Sequence, residues 1–261
     1  MTGVTVDMVI ESATALLKAD TLTSEQADRG HPKKAEPPVL KASKSVDLSA
    51  CQPVSVSAPL QGITVFLDRD GTLNRDTGYV KTPEELELFP DVPEAVMRLK
   101  QAGARVVVVT NQSGVARGLI TAAGLEAVHA KLRSLLAEEG ASLDAIYFCP
   151  HHPQEDCACR KPKIAMVERA AAQLGLNPAG YYVVGDQRRD IELGHRIGAR
   201  TLLVTTGPVS HEHLASLQAE GRAPDGAVAS LHEAVQWILD DVRHRQPSPA
   251  EGSALSPLPS T

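Results

Sequence analysis

Five short apolar runs rich in β-branched residues punctuate the middle of the chain: ITVFLD at 63–68, RVVVVT at 105–110, AIYFC at 145–149, YYVVG at 181–185 and TLLVT at 201–205. Each is strand-sized, and their continuous apolar character marks strands buried on both faces. Between and after them, apolar positions recur at helical spacing near 91–102, 121–139, 163–175, 188–198 and 231–243. Asp91, with Glu94 three residues on and Pro93 in the first turn, reads as a helix start. Strands alternating with helices predict an α/β domain over 61–243 with a parallel sheet covered on both faces. Function in such sheets sits at the carboxyl ends of the strands. Those ends carry Asp68, Thr110, Cys149 and, just past the fourth strand, Asp186.

Outside that window the pattern fades. All eight aromatic residues lie inside it, whereas half of the 18 prolines lie outside. Residues 1–60 and 244–261 lack the means to bury a core and are expected to be flexible extensions. One short amphipathic helix is plausible at 4–18, where Val6, Val9, Ile10, Ala13, Leu16 and Leu17 share a face.

Composition narrows the class. The 261 residues are 43% apolar, enough for a sizeable core, yet no uninterrupted apolar stretch approaches the roughly 20 residues of a membrane span. Lys plus Arg number 26 against 32 for Asp plus Glu, a net charge of −6, which argues against nucleic acid as a partner. Four cysteines are too few for a disulfide scaffold. Asp7 and Glu11 interrupt the N-terminal apolar stretch, which also lacks a basic start, so a secretory signal is not expected. The expectation is a cytoplasmic protein.

Two patterns carry chemistry. In FLDRDGTLN (66–74), Asp68 and Asp70 leave a strand into a Gly-containing turn and can face one pocket. Alone, Asp-x-Asp-Gly is as readily a solvated turn. In CPHHPQEDCACRKP (149–162), three of the four cysteines and two histidines fall within eleven residues, a density that suits tetrahedral zinc. The ligand set is Cys149, Cys157 and Cys159 with His151 or His152; free thiols or a transient disulfide are the alternatives. Four protein ligands would make the zinc structural and would stiffen a loop ending just before Arg160 and Lys161.

The nonapeptide behind its apolar strand resembles the first motif of the haloacid-dehalogenase-like phosphohydrolases, and three further strand ends extend the resemblance over about 61–243. Thr110 in VVVVTNQSGVARG (106–118), Lys161 in CRKPK (159–163) and Asp186 in VVGDQRRD (183–190) stand where that superfamily has its second, third and fourth motifs. The resemblance implies a single Rossmann-like three-layer α/β/α domain. It implies Asp68 as a nucleophile that forms an aspartyl-phosphate and Asp70 as general acid and base. Thr110 and Lys161 would stabilise the transferring phosphoryl group, with Lys163 a competitor for the lysine's role. Mg2+ would be held by Asp68, Asp186 and the backbone carbonyl of Asp70, with Asp190 as a helper or an ordinary first-turn helix acid.

A zinc loop directly before Arg-Lys-Pro, with only a small insert after the first motif and no large cap domain, resembles one subfamily. It contains the D-glycero-D-manno-heptose-1,7-bisphosphate 7-phosphatases and the histidinol-phosphate phosphatases. The subfamily places the zinc histidine two residues after the first cysteine, at His151. DRDGTLNRDTGYV (68–80) and TNQSGVARG (110–118) look like the heptose enzymes' substrate loops. That likeness would line the sugar site with Asp76, Thr77, Gly78 and Tyr79. It would bring Asn111, Gln112 and Ser113 to phosphate or sugar, and give Arg160 a share in recognition. Gln187 stands where those enzymes often carry Lys, so Arg188 or Arg189 would have to substitute; the zinc spacing matches the histidinol-phosphate enzymes instead. The implied protein is a monomeric phosphatase of a small phosphorylated sugar, using catalytic Mg2+ and structural Zn2+, with no membrane or nucleic-acid partner. A non-enzymatic relative on the same fold would be expected to have lost at least one of Asp68, Asp70, Thr110, Lys161 and Asp186, and all are present.

Overall fold

A computed structural model of the protein describes residues 58–245. The expected helix at 4–18 and most of both extensions lie outside the described residues. Six parallel strands form the sheet: β1 (Thr64–Leu67), β2 (Arg105–Asn111), β3 (Ala145–Cys149), β4 (Tyr181–Gly185), β5 (Arg200–Val204) and β6 (Gly226–Val228). Their spatial order is β3-β2-β1-β4-β5-β6. Thr64 of β1 lies in register with Arg105 of β2 on one side and Tyr181 of β4 on the other. The winding therefore reverses between β1 and β4, where the end of a parallel sheet opens a crevice.

The helices are α1 (Val92–Gln101), α2 (Ala122–Glu138), α3 (Ala165–Leu174), α4 (Arg188–Arg196), α5 (Ser210–Ala219) and α6 (Leu231–Arg245). Period-two alternation in the strands divides the core into two layers. Val65, Leu67, Val106, Val108, Val184 and Leu202 pack with α1, α2 and α6. Phe66, Val107, Val109 and Val183 pack on the other face with α3 and α4. Ile191 of α4, Leu203 of β5 and Leu217 of α5 continue that second layer. Helix α2 starts where the Thr121 hydroxyl accepts a hydrogen bond from the Gly124 amide. Its buried stripe is Leu125, Val128, His129, Leu132 and Leu136, the spacing of one helix face with a histidine in it.

Three features depart from the pattern reading. Helix α5 and strand β6 are additional: α5 buries only Ser210 and Leu217, and β6 is three residues long, so neither carries a readable period. Leu60 is fully buried and its amide donates to the Ala102 carbonyl, so packing starts ahead of residue 61. Helix α6 runs through Arg245, two residues past the expected edge. Between β1 and α1 the chain makes a compact turn with isolated bridges from Asn74 to Asp70 and Leu88, and no cap domain. Among the described residues, no helix is long and apolar enough to cross a membrane.

Asp144 clamps the entry to the β2–β3 edge. Its carboxylate accepts from Lys100 Nζ (2.6 Å), Arg105 Nη1 (2.9 Å) and the Val106 amide (2.7 Å). Burial alone would raise this carboxyl, but the Lys100, Val106 and Arg105 donors outweigh it and hold it below its usual range. A depressed folded-state pKa contributes stability above the unfolded value of about 4 and loses it as pH falls through the folded one. Asp144→Ala is therefore expected to lower unfolding free energy by about 2 kcal/mol at pH 7, measured by urea denaturation. The gap to wild type should shrink on going to pH 3; an unchanged gap would contradict the assignment.

Candidate active site

Asp68 leaves β1 with its amide still donating to the Val184 carbonyl (3.0 Å), so the adjacent β4 strand fixes where its side chain emerges. Its Oδ1 accepts from the Arg69 amide (2.7 Å) and faces Lys161 Nζ at 2.8 Å. The same ammonium lies 2.7 Å from Asp190 Oδ1. Lys161 and Asp190 are almost completely buried, and Asp186 completely. One carboxylate oxygen from each of Asp68, Asp186 and Asp190 falls within a 4.8 Å cluster.

The charges in this cluster do not balance. Burial pushes the Asp186 carboxyl up to about 8, with Asp68 and Asp190 adding repulsion. Asp68 is raised as well, first by burial, although Lys161 pulls in the opposite direction. Lys161 is raised despite its burial, because Asp190 and Asp68 stabilise its charge. Both Asp186 oxygens are buried without a hydrogen-bond partner. Gly71, at φ +83°, and Gly207 close over that carboxylate so tightly that a Cβ at either position would overlap it. An unpaired, caged carboxylate beside a second one is a donor set for a small hard cation. Asp68 and Asp186 fit Mg2+, which takes one or two carboxylates and fills its remaining positions with water and phosphate oxygens. Asp190 is already engaged by Lys161 and by the Gln187 amide (3.1 Å).

Asp70 stands outside that cluster. Arg69, fully buried, grips it with Nε (3.0 Å) and Nη2 (2.8 Å to each oxygen). Asn74 Nδ2 (3.0 Å) and Gln112 Nε2 (2.8 Å) complete its shell. Burial opposes ionisation here, but the Arg69 charge and the Asn74, Gln112 and Arg69 hydrogen bonds prevail and hold the carboxyl below its usual range. Gln112 Nε2 also donates to Thr110 Oγ1 (2.9 Å), and its Oε1 accepts from Arg69 (3.1 Å). Both amide protons are thus taken up by Asp70 and Thr110.

The remaining predicted positions divide. Asn111 pairs with the Lys161 main chain, accepting from its amide (3.0 Å) and donating to its carbonyl (3.2 Å), so its side chain braces the lysine. Ser113 is buried in the same loop. Asp76 accepts from the Gly78 amide (2.8 Å) in an exposed turn with Thr77, and Tyr79 is 37% exposed. Arg160 is half-buried with Nη1 unpartnered. Gln187 precedes α4, Arg188 is taken up by Glu192 and Glu220, and Arg189 keeps a buried, unpartnered Nε. Lys163 is spent on Asp156.

The thiols gather as one group. Cys149 Sγ lies 3.5 Å from Cys157 Sγ and 3.6 Å from His151 Nδ1; Cys159 Sγ lies 3.1 Å from His151 Nδ1 and 3.7 Å from Cys157 Sγ. Zn–S bonds of about 2.3 Å in a tetrahedron imply ligand separations near 3.7 Å. Cys149, Cys157 and Cys159 are free of disulfides. His151, not His152, faces them; His152 Nδ1 accepts from the Gln154 amide (3.3 Å) and its own amide donates to Glu155 (2.7 Å), capping a short turn. Hydrogen bonding from Cys149, then His151, holds the Cys159 thiol down at about 5, so a thiolate is readily formed there. The loop is laced to the Thr110 loop by Gln112 N to Cys149 O (2.7 Å) and Ala116 N to Pro150 O (3.1 Å).

Arg69 and His129 are the buried site residues that motif reading passes over. His129 sits on the apolar stripe of α2, and that stripe was the one available signal.

Comparison with known proteins gives the same family from several directions. The HAD-hydrolase-like family model matches residues 158–234, and the polynucleotide kinase 3 phosphatase model matches 64–191. The D-glycero-beta-D-manno-heptose-1,7-bisphosphate 7-phosphatase of Pseudomonas putida is 45% identical over 144 residues, covering 55% of this chain and 82% of the relative. The D-glycero-D-manno-heptose-1,7-bisphosphate 7-phosphatase of Chlorobaculum tepidum is 39% identical over 188 residues, covering 67% and 93%. The crystal structure of the B. bronchiseptica D,D-heptose 1,7-bisphosphate phosphatase with magnesium and phosphate superposes with a TM-score of 0.62 at 38% identity, covering 69% of this chain and 99% of that one. With the carboxylate cluster and its lysine on successive strand ends of a sheet these proteins share, the chain belongs to the heptose-1,7-bisphosphate 7-phosphatase family of haloacid-dehalogenase-like hydrolases.

Proposed function

We propose that the chain is a Mg2+-dependent phosphomonoesterase that removes the 7-phosphate of D-glycero-D-manno-heptose 1,7-bisphosphate through an Asp68 phosphoryl ester. The observation that carries this reading is the buried Asp68–Lys161–Asp190 chain beside the unpaired Asp186 carboxylate. Bound between Asp68 and Asp186, Mg2+ would supply the positive charge that lets a phosphate dianion approach a carboxylate nucleophile.

The chain's own residues account for the remaining chemistry. A carboxylate oxygen of Asp68 attacks phosphorus as the bond to the sugar oxygen breaks, and Asp70, whose donors keep it a carboxylate in the free site, takes up a proton as the phosphate anion docks and gives it to that oxygen. Asp70, now ionised, takes a proton from water, which attacks the phosphoryl ester and releases inorganic phosphate with Asp68 restored. Lys161, held by Asp190 and by the Asn111 brace, and the Thr110 hydroxyl face the charge that grows on the phosphoryl oxygens. Arg160 and Arg189, with unpartnered guanidinium nitrogens, suit the anionic groups of a doubly phosphorylated sugar. With only short loops at 74–80 and 111–118 around the site, small soluble esters are the substrates that fit. Tyr79 and Leu119 are the exposed large hydrophobic residues among those described, which supports a monomer. The absence of a helix able to span a membrane in the described region is compatible with a cytoplasmic setting.

Asp68→Asn should lower phosphate release from heptose 1,7-bisphosphate with Mg2+ by more than about 1,000-fold; near-wild-type release, followed by a colorimetric phosphate assay, would refute the nucleophile assignment. At the thiol cluster, metal analysis of the purified protein should find about one zinc per chain. Cys159→Ser should lose it and melt roughly 5 °C or more below wild type. An unaltered melting point in zinc-free wild type would rule out a structural metal.

A further inference from the structure

Gln112 is the meeting point of three groups with different duties. Its amide nitrogen donates to Asp70 Oδ2 at 2.8 Å and to Thr110 Oγ1 at 2.9 Å, while its amide oxygen accepts from Arg69 Nη2 at 3.1 Å. The orientation is fixed by chemistry, since a reversed amide would set NH2 against a guanidinium and oxygen against a carboxylate. Arg69 is completely buried and grips both oxygens of Asp70. Behind it, Arg69 Nη1 lies 3.4 Å from His129 Nε2. An arginine can only donate, so His129 Nε2 accepts and the imidazole keeps its proton on Nδ1. Burial, then the Arg69 and Arg133 charges, push the His129 pKa down to about 3, so the ring stays neutral and retains that acceptor.

The chain from α2 to the active site is therefore continuous: His129, Arg69, then Asp70 with Gln112, then Thr110. It leaves the Asp70 side chain 23% exposed. We propose that Gln112, backed by Arg69 and His129, is a positioning residue that fixes the Asp70 carboxyl against the leaving oxygen and ties it to Thr110. The inference rests on the phosphohydrolase reading above. It replaces a substrate contact at Gln112 with a structural duty toward the proton-transfer group.

General-acid help matters most when the departing oxygen is a poor leaving group. The test is kcat/KM, which reports events through loss of the leaving group, for a series of para-substituted phenyl phosphates from p-nitro to p-methoxy. Wild type should show a shallow dependence on leaving-group basicity. Gln112→Leu and His129→Leu should each fall about 2-fold on p-nitrophenyl phosphate but roughly 10- to 100-fold on the most basic leaving group. His129→Gln, which keeps an acceptor for Arg69, should recover to within about threefold of wild type. These esters lack the sugar, so a lost sugar contact would not steepen the dependence, and melting temperature and zinc content identify any variant that is merely misfolded. A uniform fall across the series in either Leu variant, or no rescue by Gln at 129, would overturn the proposal. Equal turnover by wild type and Asp68→Asn would instead sink the phosphohydrolase reading while leaving the leaving-group comparison intact.

Discussion

An excess of buried negative charge at the end of β1 and β4 is the constraint on which the rest of the structure depends. Three carboxylates, Asp68, Asp186 and Asp190, share a pocket with one buried ammonium, that of Lys161. Isolated buried carboxylates are strongly disfavoured unless they are paired, protonated or bound to a cation. Lys161 satisfies Asp68 and Asp190 but reaches neither oxygen of Asp186. A divalent ion resolves the imbalance, and the site then presents positive charge where a phosphate must dock. Much of the surrounding architecture follows from keeping this cluster dry and fixed. Gly71 and Gly207 have no side chain because the Asp186 carboxylate fills the space one would occupy.

The thiol loop solves a second problem, that of placing a buried lysine from a segment with no regular structure. Lys161 lies between β3 and α3, and a flexible loop would lose the precision its two ion pairs require. Three cysteines and His151 draw the loop into a compact knot just before it. Asn111 then pairs with the Lys161 main chain, so the β2 strand end and the loop carry the cation jointly. Asp70 is governed separately, from the α2 side, through Arg69 and His129. On the proposed roles the site has two supports, one for charge stabilisation and one for the proton-transfer group, which meet at Thr110 and Gln112.

Much of this was legible in the amino-acid order. Continuous apolar strands such as RVVVVT announce a doubly covered sheet, and the strand-end rule leads directly to Asp68, Thr110, Cys149 and Asp186. Helix α5 and strand β6 were not legible, because an element that buries two side chains or spans three residues leaves no period to detect. Individual loop duties were harder still. Asn111 and Gln112 read as polar loop residues free to meet a substrate, yet their amides are committed to Lys161 and to Asp70 with Thr110. Arg69 carries no motif signal between its two aspartates, and its complete burial shows that it faces inward. Such roles depend on which side of a turn a side chain leaves, and spacing alone does not encode that.

The central claim is that the Asp68 carboxylate is the phosphoryl acceptor beside a cation held with Asp186. A crystal structure of the protein soaked with Mg2+ and beryllium fluoride tests it directly. The account predicts a fluoroberyllate bonded to an Asp68 carboxylate oxygen, with the cation between that adduct and Asp186. An adduct on Asp70, Asp186 or Asp190, or a cation lodged elsewhere, would contradict it.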